Sequence, residues 1–262
     1  MKITNTLFSD LPKRIGSALV LGVFSCSALK IGGLTCAIFL SLCFFILIWE
    51  VFYICSNAKM VFFELTSLFP ALLSLVPILQ FYDFYPVLVL SSFAVLSLIF
   101  KLGRVTRGFC IVYIGVSIML LQGLLLSNVK PAPINHVLFV VLLVMASDVG
   151  GYIFGRMIGG PRILVRVSPK KTWAGSFGGL TLAIIASICY EPWLDYQTNE
   201  LLLISMLLAF SAQAGDLLQS AIKRNFSIKD SGFLMPGHGG LFDRLDGLIF
   251  AVPIYVLITT IY

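Results

Sequence analysis

Charge is what this sequence has least of. Of its 262 residues only 11% are Asp, Glu, Lys or Arg, while 59% are hydrophobic. A soluble domain carries about 25% charged and about 45–50% apolar residues. The imbalance excludes a water-soluble globule, and it excludes a disordered chain for the same reason. Histidine is nearly missing: His136 and His238 are the only two, too few for a His-rich zinc site. The six cysteines (Cys26, Cys36, Cys43, Cys55, Cys110 and Cys189) form no C-x-x-C pair and lie in or beside apolar stretches. They read as small apolar side chains rather than as the framework of a disulfide-rich secreted module. There is no Walker P-loop and no G-x-G-x-x-G after a strand, so a nucleotide, if bound, is held by other means. Internal repeats and low-complexity tracts are absent too.

What is there is one long apolar run after another, with 22 Phe and a mean hydropathy of +1.01. The runs are continuous and do not alternate with period two, which argues against a barrel. The expected fold class is therefore all-α, a polytopic integral membrane protein. Nine apolar segments can be marked, at 14–29, 32–54, 67–82, 86–100, 108–127, 134–155, 172–190, 201–222 and 247–262. A span needs about 20 residues; the third and fourth are short, and Pro70 and Pro77 fall in the third. The first run follows Lys13 and Arg14 and contains Ser25-Cys26-Ser27-Ala28, as a cleaved signal peptide would. Because more spans follow at once, it reads as an uncleaved first helix. With the N-terminus in the cytoplasm and nine alternating spans, all but Lys30 and Lys130 of the 18 Lys and Arg residues fall on the cytoplasmic side. That bias supports the orientation. The expected organisation is an N-terminal set of helices over 1–130 and a C-terminal catalytic region over 131–262, in a membrane of the bacterial inner-membrane type. A basic inner face attracts anionic headgroups and nucleotides, although topology alone also produces one. No nucleic-acid partner is expected; Gly-rich helix faces are compatible with a homodimer.

Acidic groups inside apolar helices cost at least about 2.5–3.5 kcal/mol each at the bilayer centre, so each one needs a reason. Glu50, after Trp49, reads as a headgroup-level anchor or the partner of a neighbouring base. Asp148 shares a helix face with Gly151, Tyr152 and Gly155, which reads either as a close-packing seam or as part of a site. Gln213, Asp216, Ser220 and Lys223 share another face. A polar stripe on a helix of Leu, Ala and Ile reads as the wall of a site, or as the ion path of a transporter. Between Asn225 and Asp246 the charges crowd together. Gly237, Gly239 and Gly240 let backbone N–H groups approach a phosphate. Asp243 and Asp246 are three apart, on one side of a helix. With Asp216 they make three carboxylates suited to a hard cation such as Mg²⁺, and Lys223, Arg224, Lys229 and Arg244 stand nearby in sequence. A solvated loop of mixed charge is the plainer alternative. In Ser168-Pro169-Lys170-Lys171-Thr172-Trp173, two lysines and hydroxyls precede a helix N-terminus, fit for a phosphate or for anchoring at the membrane surface.

The stretch Ser220-x-Ile222-Lys223-Arg224-x₄-Lys229-Asp230-x₅-Pro236-Gly237-His238-Gly239-Gly240-x₂-Asp243-Arg244-x-Asp246 closely resembles the signature of phosphatidate cytidylyltransferases (CDP-diacylglycerol synthases). Asp148-x₂-Gly151-Tyr152-x₂-Gly155-Arg156 and Ser168 to Trp173 are similar to that family as well. Two positions depart from it: Ala174, where many members have an acid, and Gly151, where Ala is common. The resemblance spans about residues 145–250. It implies that CTP and phosphatidic acid react to give CDP-diacylglycerol and pyrophosphate, with Mg²⁺ and a second, monovalent cation as cofactors. It implies Asp216 and Asp243 as metal ligands with Asp246 close by. Lys223, Arg224, Lys229 and Arg244 are then expected on phosphates. Asp148, Ser168, Lys170, Lys171, Thr172, Ser220, Gly237, Gly239 and Gly240 are expected at the substrates. His238 is expected either to donate to a phosphate or to order the glycine loop. The site is expected on the cytoplasmic face, where CTP arrives from water and the lipid from the leaflet. An ion-coupled transporter and a CTP-dependent lipid kinase are the competing readings.

Overall fold

The computed structural model describes residues 11–55, 75–81, 105–127, 132–232 and 239–261. Most of them are helical. Helix α1 is Leu11–Ile31, α2 Gly33–Cys55, α3 Val76–Phe81 and α4 Val105–Leu126. They are followed by α5 Pro133–Met157, α6 Trp173–Tyr190, α7 Thr198–Asn225 and α8 Phe242–Ile261. Among the described residues five helices are long and apolar enough to cross a membrane: Gly33–Cys55, Thr106–Leu126, Pro133–Met157, Trp173–Trp193 and Thr198–Asn225. The protein is thus a helical integral membrane protein. Seven of the expected apolar segments coincide with α1, α2, α4, α5, α6, α7 and α8. Most of 67–82 and all of 86–100 lie outside the described residues, apart from the short α3, which begins next to Pro77 where a missing N–H is harmless.

Local chemistry sets the breaks. Gly32, at φ +68, separates α1 from α2 in the left-handed conformation that glycine adopts without cost. Pro133 opens α5. Thr172 caps α6, its Oγ1 accepting the Gly175 N–H at 3.1 Å. Between α5 and α6 the chain leaves the helical pattern: β1 (Arg162–Leu164) and β2 (Ser168–Thr172) pair antiparallel, Arg162 opposite Thr172 and Leu164 opposite Ser168. The sequence, read as a loop here, gave no warning of this hairpin.

The chain divides into two compact units, Met1–Gly115 with Phe226–Arg244, and Val116–Asn225 with Leu245–Tyr262. In the first, α2 supplies buried Phe44, Leu47, Ile48, Val51 and Ile54. In the second, α5 and α6 approach so closely that a Cβ at Gly150 would lie 2.5 Å from the Gly178 carbonyl oxygen and 2.9 Å from Gly179 Cα. This is the small-residue packing of membrane helices. His136 is buried in α5, with Nδ1 2.6 Å from the Tyr255 hydroxyl.

Candidate active site

In the second unit, α5, the hairpin, α6 and α7 enclose a cavity of about 420 Å³. Its polar lining comes from residues far apart in sequence. Asp148 and Tyr152 come from α5, Lys170 and Lys171 from β2, and Gln213 and Asp216 from α7; Trp173, Phe210 and Leu217 add apolar wall. Lys171 Nζ lies 2.5 Å from Asp216 Oδ2, both side chains being about a quarter to a third exposed. Ser220 Oγ, one turn on, donates to Asp216 Oδ1 at 3.4 Å. Of the stripe read at helical spacing, Gln213 and Asp216 line the cavity and Ser220 touches Asp216.

Gln213 is held from two sides. Its Nε2 donates to Ser147 Oγ at 3.2 Å and to the Ser176 carbonyl at 3.1 Å, while Ser176 Oγ donates to its Oε1. Ser147 and Ser176 carried no signal in the sequence beyond being small. They tie α5 and α6 to α7 one turn before Asp216.

Asp246 stands one residue ahead of the last apolar stretch. Its carboxyl is pushed up from the ordinary carboxylate range, first by burial and then by the Asp216 charge, with Asp148 adding to the effect; the Gly247 N–H and the Lys223 ammonium act the other way. The Gly247 N–H donates to Asp246 Oδ1 at 2.8 Å. Asp148, Asp216, Asp246, Lys171 and Lys223 are therefore electrostatic neighbours. The close approach of α7 to α8 makes this possible: a Cβ on Gly215 would meet the Asp246 carbonyl oxygen at 2.7 Å and Phe250 Cβ at 2.7 Å. Arg224, at the end of α7, turns its Nε to the Val167 carbonyl in the hairpin at 3.4 Å. Ser168 and Thr172 are hairpin residues, and Thr172 Oγ1 is engaged as the α6 cap.

The first unit holds Lys229, Gly239, Gly240, Asp243 and Arg244. Here Asp243 Oδ2 accepts the Ser231 N–H at 2.8 Å, the Ser231 hydroxyl at 2.9 Å and the Gly240 N–H at 3.2 Å. Gly239, at φ +85, adopts a conformation an L side chain avoids. A Cβ on Gly240 would run into Ser231 Oγ and the Glu50 carboxylate. Glu50 departs from both of its expected roles. It is 4% exposed, and its carboxylate accepts the Leu241 N–H, the Phe242 N–H and the Ser231 hydroxyl, at 2.8, 2.8 and 2.9 Å. Its partners among the described residues are neutral donors of the segment that leads into α8. Gly237 and His238 lie outside the described residues.

A profile of the cytidylyltransferase family matches residues 12–262. The chain belongs to that family. Among curated cytidylyltransferases it is 34% identical over 176 residues to the phosphatidate cytidylyltransferase of Staphylococcus epidermidis, an alignment covering 64% of this chain and 66% of that protein. It is 35% identical over 171 residues to the protein of the same name from Staphylococcus saprophyticus, covering 63% and 64%. To that of Staphylococcus aureus it is 32% identical over 176 residues, covering 64% and 66%. In each case the chain covers less than two thirds of the relative's length.

Proposed function

We propose that the protein transfers the cytidylyl group of CTP to phosphatidic acid, giving CDP-diacylglycerol and pyrophosphate for phospholipid synthesis. The observation that carries this reading is the Lys171–Asp216 pair, which lines a largely apolar cavity and has Asp246 as an electrostatic neighbour, in a chain of the cytidylyltransferase family. The relatives quoted above bear the name of that activity.

The chemistry asks little of a general base. An oxygen of the lipid phosphate, already ionised at neutral pH, attacks the α-phosphorus of CTP. The bond from that phosphorus to the bridging oxygen breaks, and pyrophosphate leaves with the electron pair. The protein has to align the two phosphates and offset the negative charge that gathers on them. Lys171 and Lys223 supply cations next to Asp216 and Asp246; the resemblance adds Lys170, Arg224, Lys229 and Arg244, and gives backbone approach to Gly237, Gly239 and Gly240. Asp148, Ser168, Thr172 and Ser220 complete the substrate contacts in this reading, with His238 a donor or a loop-ordering residue.

Asp216 and Asp246 fit a hard divalent cation by the chemistry of the donor set. They are neighbouring carboxylates of like charge, which a cation between them would offset. Mg²⁺ is typically held by one or two carboxylates and otherwise by water and substrate phosphates. When bound it would neutralise charge on the phosphates and on the departing pyrophosphate. Asp243 is assigned to the same metal on the family resemblance, as is the use of a second, monovalent cation. The nine-span topology, with the N-terminus and the active site on the cytoplasmic face, rests on the distribution of Lys and Arg.

The test uses purified protein in detergent with labelled CTP, phosphatidic acid and Mg²⁺. Lipid-linked CMP and pyrophosphate should appear together. Release of CDP with phosphorylation of the lipid would reveal a kinase instead, and no lipid-linked CMP would refute the assignment. Asp216→Asn and Asp243→Asn should each abolish turnover with near-normal expression. Retention of more than about a tenth of activity, a loss of under about 1.4 kcal/mol of transition-state stabilisation, would overturn the metal assignment.

A further inference from the structure

The hairpin between α5 and α6 is built unlike a hairpin that stands in water. Its turn, Val165-Arg166-Val167, closes with the Val167 N–H on the Leu164 carbonyl at 3.1 Å. The turn contains none of the Gly, Asn, Asp or Pro residues that solvated turns favour. Two large apolar side chains face outward beside the exposed Arg166: Leu164 is 48% exposed and Val165 57%. Where the flanking helices end and begin, Ile158 is 67% and Trp173 51% exposed. An isolated two-stranded ribbon is marginal in water at best, and one with an apolar tip is worse.

The charge on this segment has a single sign. From Arg156 to Tyr190 the chain carries Arg156, Arg162, Arg166, Lys170 and Lys171 and no Asp or Glu, and Arg162, Arg166 and Lys170 are exposed. Position follows from length. Both neighbours, Pro133–Met157 and Trp173–Trp193, are long and apolar enough to span a membrane, so the segment 158–172 joining them starts and ends next to a membrane surface. Apolar side chains interleaved with cations, in a segment with no acid of its own, are the composition of a segment that rests in the headgroup layer of an anionic leaflet. Trp at the helix start suits the same depth. The ribbon's other side is committed to the cavity, which Ile163 and Lys171 line.

We propose that the hairpin Arg162–Thr172 is an interfacial lip of the cavity. Its tip residues Leu164 and Val165 insert among the lipids, and Arg162 and Arg166 engage the phosphates of an anionic membrane surface. The assignment concerns where the hairpin lies and does not depend on which reaction the cavity performs.

The experiment replaces the three native tryptophans (Trp49→Phe, Trp173→Phe, Trp193→Phe) and adds Val165→Trp, leaving one fluorophore at the tip of the full-length protein. The protein is reconstituted in nanodiscs of phosphatidylcholine with or without phosphatidylglycerol, either lipid being brominated high on its acyl chains. The expected result is blue-shifted emission, shielding from acrylamide, and quenching by the brominated lipids. Quenching should be about twofold or more stronger when phosphatidylglycerol carries the bromine, and Arg162→Gln with Arg166→Gln should remove that difference. Emission typical of water with acrylamide quenching would overturn the proposal. So would shielding from both quenchers, which would mean that protein covers the tip. Equal quenching by the two lipids would overturn its anionic part. If Val165→Trp folds poorly, native Trp173 alone, with Trp49→Phe and Trp193→Phe, gives the same readout at the base of the hairpin.

Discussion

Glu50 accepts the backbone N–H of Phe242 at 2.8 Å, so a carboxylate near the end of α2 caps the first turn of α8. The same side chain takes the Leu241 N–H, while Ser231 Oγ stands 2.9 Å from both Glu50 Oε2 and Asp243 Oδ2. The single hydroxyl proton serves one of these two carboxylates at a time. The backbone N–H groups of Ser231, Gly240, Leu241 and Phe242 supply the remaining positive ends. A buried carboxylate is tolerated because several donors converge on it.

Glu50→Ala should therefore destabilise the protein strongly. It strands the Leu241 and Phe242 backbone donors, while the Ser231 hydroxyl keeps Asp243, and a buried donor left without a partner costs about 1–3 kcal/mol. Glu50→Gln should sit between wild type and Glu50→Ala, since its NH₂ would face one of the two N–H groups. Thermal melting in detergent and tryptic cleavage after the exposed Lys229 measure the effect. Melting and cleavage unchanged in Glu50→Ala would mean that the segment before α8 is held by something else.

A glycine predicts the opposite kind of failure, from too much volume. Gly215→Ala would place its Cβ 2.7 Å from the Asp246 carbonyl oxygen and 2.7 Å from Phe250 Cβ. Overpacking of this kind costs typically about 1–3 kcal/mol. Because the clash is with Asp246 itself, turnover should fall by more than the melting temperature suggests. Gly22→Ala is the control: nothing lies within 4 Å of its Cβ, and in a helix Ala is preferred to Gly. Similar activity in the two variants would show that the α7–α8 spacing is not set at Gly215.

Asp246 makes stability depend on pH in a definite direction. Its carboxyl is raised from an ordinary 3.8 to about 7, burial first and the Asp216 charge second. Through that window the folded state keeps a proton that the unfolded chain has released, so stability should fall as pH rises. Melting of the metal-free protein in a chelator, from about pH 5 to about pH 8, should show this decline, and Asp246→Asn should flatten it. Parallel profiles would show that the Asp246 carboxyl is not raised in the folded protein.

How much of this could be read from the sequence depended on the range of the interaction. The stripe of Gln213, Asp216, Ser220 and Lys223 follows from helical period alone, and the structure turns Gln213 and Asp216 to the cavity. The helix start at Trp173 was legible from the hydroxyl-and-small-residue pattern around Thr172. The approach of Lys171 to Asp216 was not, because no periodicity relates a strand residue to a helix distant in sequence. Glu50 was misread for a related reason: its donors are backbone N–H groups of a remote segment, which have no side-chain signature. The hairpin escaped because its strands are three and five residues long, and its turn lacks turn chemistry.

Lys171 occupies a carboxylate oxygen that a metal would also take: its Nζ is 2.5 Å from Asp216 Oδ2. Two roles are then in competition. If Lys171 only holds Asp216 in place, removing it should loosen the carboxylate and raise the Mg²⁺ needed for half-maximal rate. If it instead screens Asp216 until substrate phosphates draw it away, Lys171→Met should lower the Mg²⁺ requirement, while the lost phosphate contact reduces turnover by about tenfold or more. The second outcome is expected. The pair is partly exposed, and a solvent-screened ion pair contributes only about 0–1 kcal/mol, so the fold does not need it. Melting should accordingly change little, and the Mg²⁺ titration at saturating CTP separates the two roles. A higher Mg²⁺ requirement together with a lower melting temperature would assign Lys171 to structure.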